Sequence, residues 1–128
     1  MQTLVLRGSP KVNGNTEFLV NAIASNLKGK VKIITPRSNI EPCNDCRYCW
    51  KSAGCAINDE MQEVYPFIES CDNIVIASPI RFSSLSGCLL NIASRIQALF
   101  AAVYFRKEEV VIKPKKGVVI IVGAEIGT

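Results

Sequence analysis

Residues 3–16 read TLVLRGSPKVNGNT, an apolar run that breaks at Gly8 into a polar loop rich in glycine and asparagine. The run from Thr3 to Arg7 is short and ends at Gly8-Ser9-Pro10, so it reads as a strand. A helix is expected from about Thr16 to Lys28, with Phe18, Leu19, Ala22, Ile23 and Leu27 on one face and Gly29 closing it. The rest of the chain repeats this alternation. Val31–Thr35 is a second strand, residues 73–78 (NIVIAS) a third and residues 117–122 (GVVIIV) a fourth. Asp59 reads as the N-cap of a helix with Gln62 three residues on and an apolar stripe of Met61, Val64, Tyr65 and Ile68, kinked at Pro66. One long helix opens at Ser86 or Gly87 and carries Leu89, Ile92, Ala93, Ile96, Leu99, Phe100 and Val103 on one side. Strands 3–7, 74–77 and 118–122 are apolar at almost every position, as expected of strands covered on both faces. The expected fold class is α/β, a doubly wound parallel sheet.

Composition narrows the function. The chain has 128 residues, the size of one domain, and 48% of them are hydrophobic, which argues against disorder. Its net charge is +4, and the densest basic patch, Lys113 to Lys116, has no interleaved aromatic side chains. It reads as a solvated loop, and no nucleic-acid partner is expected. The opening apolar run is too short for a signal-peptide core. No apolar run approaches the roughly 20 residues of a membrane helix, so a cytoplasmic protein with no membrane partner is expected. There is no histidine. Ser-His-Asp and Cys-His nucleophile systems are therefore excluded, and an enzyme of this composition draws its difficult chemistry from a cofactor.

In such a sheet ligands bind at the carboxyl ends of the strands. The loop after the first strand, residues 8–16, lacks both the G-x-G-x-x-G fingerprint and a Walker A lysine. It offers Ser9, Lys11, Asn13, Asn15 and Thr16 beside the free amides of a helix N-terminus, a set that suits a phosphate monoester. An ordinary Asn/Gly turn ending in a threonine cap accounts for the same residues. Residues 36–58 have no period and form a long loop, of the kind that is usually functional. It holds Cys43, Cys46, Cys49 and Cys55 in a C-x2-C-x2-C-x5-C pattern. This spacing lets a short loop wrap an iron–sulfur cubane and fits zinc less well. Cys71 and Cys88 have apolar neighbours and read as core.

GSPKVNGNT resembles the GSPRxNGNT loop of the NADPH-dependent FMN reductase and iron–sulfur flavoprotein family, within the flavodoxin-like superfamily. The resemblance implies that Ser9, Asn13, Asn15 and Thr16 hold the FMN phosphate, with Lys11 where the family more often has arginine. Residues 78–83 (SPIRFS) are similar to the family's SPxYFG loop around the flavin ring, which implicates Pro79, Ile80, Arg81, Phe82 and Ser83. Here Arg81 replaces the tyrosine and Ser83 the glycine. The guanidinium either stacks on the ring or points to solvent. The loop reaching Gly123 resembles the family's third flavin contact. The compact cysteine motif resembles that of the iron–sulfur flavoproteins, which implies a [4Fe–4S] cluster, although relatives with similar cysteines occur without one. Of the family's Leu-Lys and Asp-Arg in the following helix, Leu89-Leu90 and Ser94-Arg95 keep only the arginine.

The resemblance implies one flavodoxin-like FMN-binding domain over residues 1–128, strand order 2-1-3-4, with the family's fifth strand not encoded in this sequence. The function it implies is an electron-transferring oxidoreductase passing electrons between FMN and the cluster, with NAD(P)H or a redox protein as partner. A cluster-free NAD(P)H-dependent flavin or quinone reductase is the alternative, and a non-enzymatic binding module the third. The apolar fourth strand, lacking an outer neighbour, predicts a homo-oligomer.

Overall fold

The computed structural model describes residues 1–36, 38–109 and 112–123. Four strands, β1 (Gln2–Arg7), β2 (Lys30–Ile34), β3 (Asn73–Pro79) and β4 (Lys116–Val122), form one parallel sheet in the order β2-β1-β3-β4. This is the flavodoxin-like order expected. Val5 stands opposite Ile33 on one side and Val75 on the other, and Ile76 stands opposite Val119. The helices are α1 (Asn15–Ala24), α2 (Met61–Ser70), α3 (Gly87–Ser94) and α4 (Gln97–Tyr104), with a single 3-10 turn at Tyr48–Trp50.

Successive side chains of β1 and β3 feed opposite faces of the sheet. Leu4 and Leu6, with Ile74 and Ile76, pack with Val64 and Ile68 of α2 and Leu89 and Ile92 of α3. On the other face Val5, Val75 and Ala77 pack with Val20 of α1. Each such aliphatic side chain contributes roughly 1.5–3 kcal/mol on burial. Both central strands are thus covered on both sides, which is why they read as unbroken apolar runs.

Three expectations are corrected. The first concerns α1, which ends at Ala24 and buries Thr16 and Val20, while Phe18 is 72% exposed and Leu19 lies outside the core. A short β-branched side chain fits against the small Ala77, so the wider apolar residues turn outward.

The second concerns residues 87–104. By length and composition (mean hydropathy 1.3) this stretch would suffice to cross a membrane. It is not one helix. It breaks at Arg95 and Ile96, where the amides of Arg95, Ile96 and Leu99 bond three residues back to Ile92, Ala93 and Ile96. The buried Tyr65 hydroxyl donates to the Arg95 carbonyl at 2.6 Å, taking an acceptor that a continuous helix would offer to Leu99. The tightened turn changes the phase, so α4 buries Ala98, Ala101 and Ala102 and exposes Phe100 and Val103. An arginine ion-paired inside the domain at mid-segment is unlike a membrane span.

The third concerns β4, which is the edge strand expected but is not covered on both faces as its apolar run implies. Val118, Val119 and Ile121 are half or more exposed, and among the described residues β4's substantial neighbour is β3.

Candidate functional site

The carboxyl ends of β1, β3 and β4 are tied edge to edge. The Gly8 amide donates to the Ala77 carbonyl at 2.7 Å, and the Ile80 amide to the Val122 carbonyl at 2.9 Å. Three of the sequence-predicted segments therefore meet on one rim. Gly8 is required by packing: a Cβ there would stand 2.5 Å from the Ser86 hydroxyl. Cys88, expected in the core, is only half-buried, and its thiol donates to the Gly8 carbonyl at 3.0 Å. Cys71 is fully buried, as expected.

Within the first loop Ser9 and Thr16 are buried, whereas Lys11, Asn13 and Asn15 are exposed. The Ser9 hydroxyl accepts the Lys11 amide at 3.3 Å. Asn13 takes a left-handed conformation (φ 59°), which asparagine tolerates, and its amide donates to Glu17 at 2.6 Å. Glu17 also pairs with Arg7 at 3.6 Å. Gly14 precedes α1 in extended conformation, and no side chain caps the helix. Backbone N–H groups at such a terminus attract anions. Two buried hydroxyls, a lysine and an uncapped helix start fit a phosphate monoester, so the donor set suits FMN.

The second loop folds as a two-residue hairpin. Arg81 and Ser84 exchange both backbone hydrogen bonds, at 3.0 and 2.9 Å, around Phe82 (φ 48°) and Ser83 (φ 60°). Left-handed conformation at both central positions is the type I′ turn, here without the glycine it favours. Phe82 is fully exposed at the tip (104%), and Arg81 turns its Nη1 onto the Ile80 carbonyl at 3.2 Å. Pro79 is buried, and the Ser78 hydroxyl accepts the Ser86 amide at 2.9 Å. Ile80, Ser83, Ser84, Leu85 and Ile121 line an open surface depression, and Gly123 abuts Ile80, since a Cβ there would stand 2.9 Å from Ile80 Cδ1.

The cysteine loop is fastened by side chains distant in sequence. Arg95 (2% exposed) forms a forked pair with Asp59, at 2.7 and 3.1 Å, and donates to the carbonyls of Glu41 at 2.9 Å and Ile57 at 3.3 Å. Both necks of the loop are thereby joined by one guanidinium. Burial works against the Asp59 charge, but hydrogen bonds from Arg95 and from the Glu41 and Met61 amides hold its carboxyl below the usual range. Gln62, placed by its spacing in a capping box, instead donates to the carbonyls of Cys55 and Ile57 at 2.8 and 2.7 Å. Arg106 donates to the carbonyls of Cys49 and Ser52, and Trp50 stacks on Phe105 with ring centroids 4.0 Å apart. The Cys43 amide donates to the Ser94 hydroxyl at 3.0 Å.

All four cysteines line one small pocket, together with Trp50, Arg95 and Gln97. Burial pushes the Cys49 thiol up, with Cys55, Cys43 and Cys46 adding to the shift. The sulfurs are not drawn to bonding distance: among the described residues no group of three or more His, Cys, Asp or Glu side chains stands at coordinating geometry. The donor chemistry nonetheless fits an iron–sulfur cluster, with four cysteines lining one pocket. Sequence reasoning missed Arg106, Gln62, Trp50 and Ser94 as parts of this site. Their one signal is the unusual length of a loop that must be held by something.

The sequence profile of the family described as NADPH-dependent FMN reductase matches residues 1–126. The chain belongs to that family. Among similar proteins, an iron–sulfur flavoprotein of Methanocaldococcus jannaschii is 31% identical, over 98% of this chain and 63% of its own length. One of Archaeoglobus fulgidus is 33% identical, over 77% of this chain and 52% of its own. The chain thus spans between half and two thirds of these curated relatives. In fold, the NADPH-dependent FMN reductase family member described here is similar to the crystal structure of Smu.1420 from Streptococcus mutans, with TM-score 0.59 and 18% identity over 94% of this chain and 67% of that one.

Proposed function

We propose that this chain is the flavin-binding part of an oxidoreductase that holds FMN on the joined rim of β1, β3 and β4 and a [4Fe–4S] cluster in the cysteine cavity. The observation that carries the flavin reading is the rim itself: an uncapped helix start with buried Ser9 and Thr16 lies one hydrogen bond from β3, whose loop reaches Gly123. Ser9, Asn13, Asn15, Thr16 and the α1 amides bind the phosphate, and Lys11 adds charge. Pro79 to Ser83 and Gly123 border the ring, with Arg81 free to swing from the Ile80 carbonyl toward it. Cys43, Cys46, Cys49 and Cys55 hold the iron. FMN held on the rim by Ser9 to Thr16 and Pro79 to Ser83 would supply two-electron hydride chemistry, and a cluster held by Cys43, Cys46, Cys49 and Cys55 would supply one-electron transfer, together linking NAD(P)H to a redox partner protein. The relatives' names support the cluster. The open arrangement of the sulfurs favours the second reading, a cluster-free NAD(P)H-dependent reductase. The exposed apolar side chains of β4 support a homo-oligomer.

Anaerobic purification with flavin, iron and sulfide assays tests both cofactors. FMN should bind more tightly than riboflavin by about 1.5–3 kcal/mol for each charge-assisted phosphate contact. Equal affinities would remove the phosphate site, and absence of iron and sulfide would leave the cluster-free reading.

A further inference from the structure

Three buried side-chain N–H groups find no hydrogen-bond partner among the described residues: Arg7 Nε, Trp50 Nε1 and Arg95 Nε. Two of the three belong to residues that line the cysteine cavity. Unpaired buried donors are rare, and each calls for an explanation. Neither residue is loosely placed. Trp50 is clamped between Phe105, stacked within 11° of parallel, and the Arg47 guanidinium 4.5 Å from its ring. Arg95 has both Nη atoms committed to Asp59 and to the neck carbonyls, so the Nε–H is what it has left to give. An unpaired N–H on a fixed residue that lines a pocket also lined by cysteines is a donor suited to anionic sulfur, and such bonds tune sulfur-ligated metals.

We propose that Trp50 and Arg95 form a donor wall for the cysteine cavity, the indole Nε1–H and the guanidinium Nε–H being kept for anionic sulfur, thiolate or sulfide, held among Cys43, Cys46, Cys49 and Cys55. This rests on the reading of that cavity as a metal site. The two residues position and tune the ligands, and neither is a ligand itself. Hydrogen bonds to sulfur lower the energy of its lone pairs. Removing one therefore moves a sulfur-to-metal charge-transfer band to the red and lowers the reduction potential of an iron–sulfur centre.

The test uses the full chain and cobalt(II), which needs no cluster assembly. Trp50 is the chain's single tryptophan, so its fluorescence reports from the wall. Cobalt should quench that fluorescence and give a thiolate charge-transfer band. Trp50→Phe, which keeps an aromatic ring beside Phe105 but loses the pyrrole ring with its N–H, should shift the band to the red, and Arg95→Lys should do the same. After anaerobic loading with iron and sulfide, both variants should show a lower midpoint potential than the wild type. Superimposable bands in the wild type and Trp50→Phe would overturn the proposal, as would absence of cobalt binding or an unquenched tryptophan. If Arg95→Lys does not fold, Trp50→Phe decides alone. Red-shifted cobalt bands in a chain that takes up no iron would support the wall while the cluster reading falls.

Discussion

The phosphate loop and the cysteine loop are both irregular segments that carry binding residues, yet they are held in opposite ways. Residues 8–14 bridge a strand and a helix, and their geometry comes from the backbone: the Gly8–Ala77 bond, the left-handed Asn13 and the start of α1. The described residues of 36–58 have only one 3-10 turn of their own and borrow their shape from Arg95, Arg106, Gln62 and Phe105. A short connection inherits order from the elements it joins. A long one must be clamped, because the entropy of fixing it is not repaid locally.

The contrast is broken most forcefully at Arg95. Arg95→Met strands the buried Asp59 carboxylate and frees both necks, and should cost about 3–5 kcal/mol in urea unfolding. The pH dependence should weaken as well. In the wild type the folded Asp59 pKa is depressed, so its stabilisation is present above the usual carboxylate value of about 3.9 and is lost as pH falls through the lower folded value. In Arg95→Met the guanidinium's hydrogen bonds and charge are gone and only the Glu41 and Met61 amides still oppose burial, so the depression of that pKa shrinks and the loss of stability on acidification should become shallower. Unfolding midpoints measured from pH 3 to 7 distinguish the two slopes.

Gly8→Ala attacks the other loop through its backbone. The new methyl meets the Ser86 hydroxyl, and the overpacking should cost about 1–3 kcal/mol while weakening FMN binding. An unchanged FMN titration would mean that the loop tolerates displacement from α3. Arg106→Met removes the clamp on the crown of the cysteine loop and should cost about 1–3 kcal/mol for the stranded carbonyls of Cys49 and Ser52. Hydrogen exchange should quicken in residues 48–52 and stay unchanged in residues 8–16. The smallest effect is expected in the ring loop, where Ser83→Gly relieves a left-handed serine and should stabilise by about 0.5–1 kcal/mol. A loss of stability there would show that the serine side chain is used.

The sequence discloses the phosphate loop more fully than the cysteine loop for the same reason. GSPKVNGNT is contiguous, and each of its residues acts where it stands. The four cysteines also declare themselves by spacing, but apart from Gln62 the residues that hold them come 40 to 60 positions later, and Arg106 carries no motif. The strands were legible because β1 and β3 are buried on both faces. The same rule over-read β4, whose apolar residues are exposed. Helical periodicity failed twice: at α1, where Thr16 outcompetes Phe18 for the interior, and at residues 87–104, where the turn at Arg95 resets the phase. Period counts weigh apolar residues and are blind to a polar bond such as that of the Tyr65 hydroxyl to the Arg95 carbonyl.

The distance in sequence between the cysteines and their clamps also sets a schedule. Cys43 is bonded to Ser94, and Cys49 to Arg106, 51 and 57 residues further along the chain. A ribosome adding about 5–20 residues per second leaves roughly 3–10 s between each cysteine and its fastener. Through that interval the nascent thiols are free and unguarded. Oxidation of those thiols therefore has the same few seconds in which to act, and the order in which the chain is made decides when the loop is vulnerable.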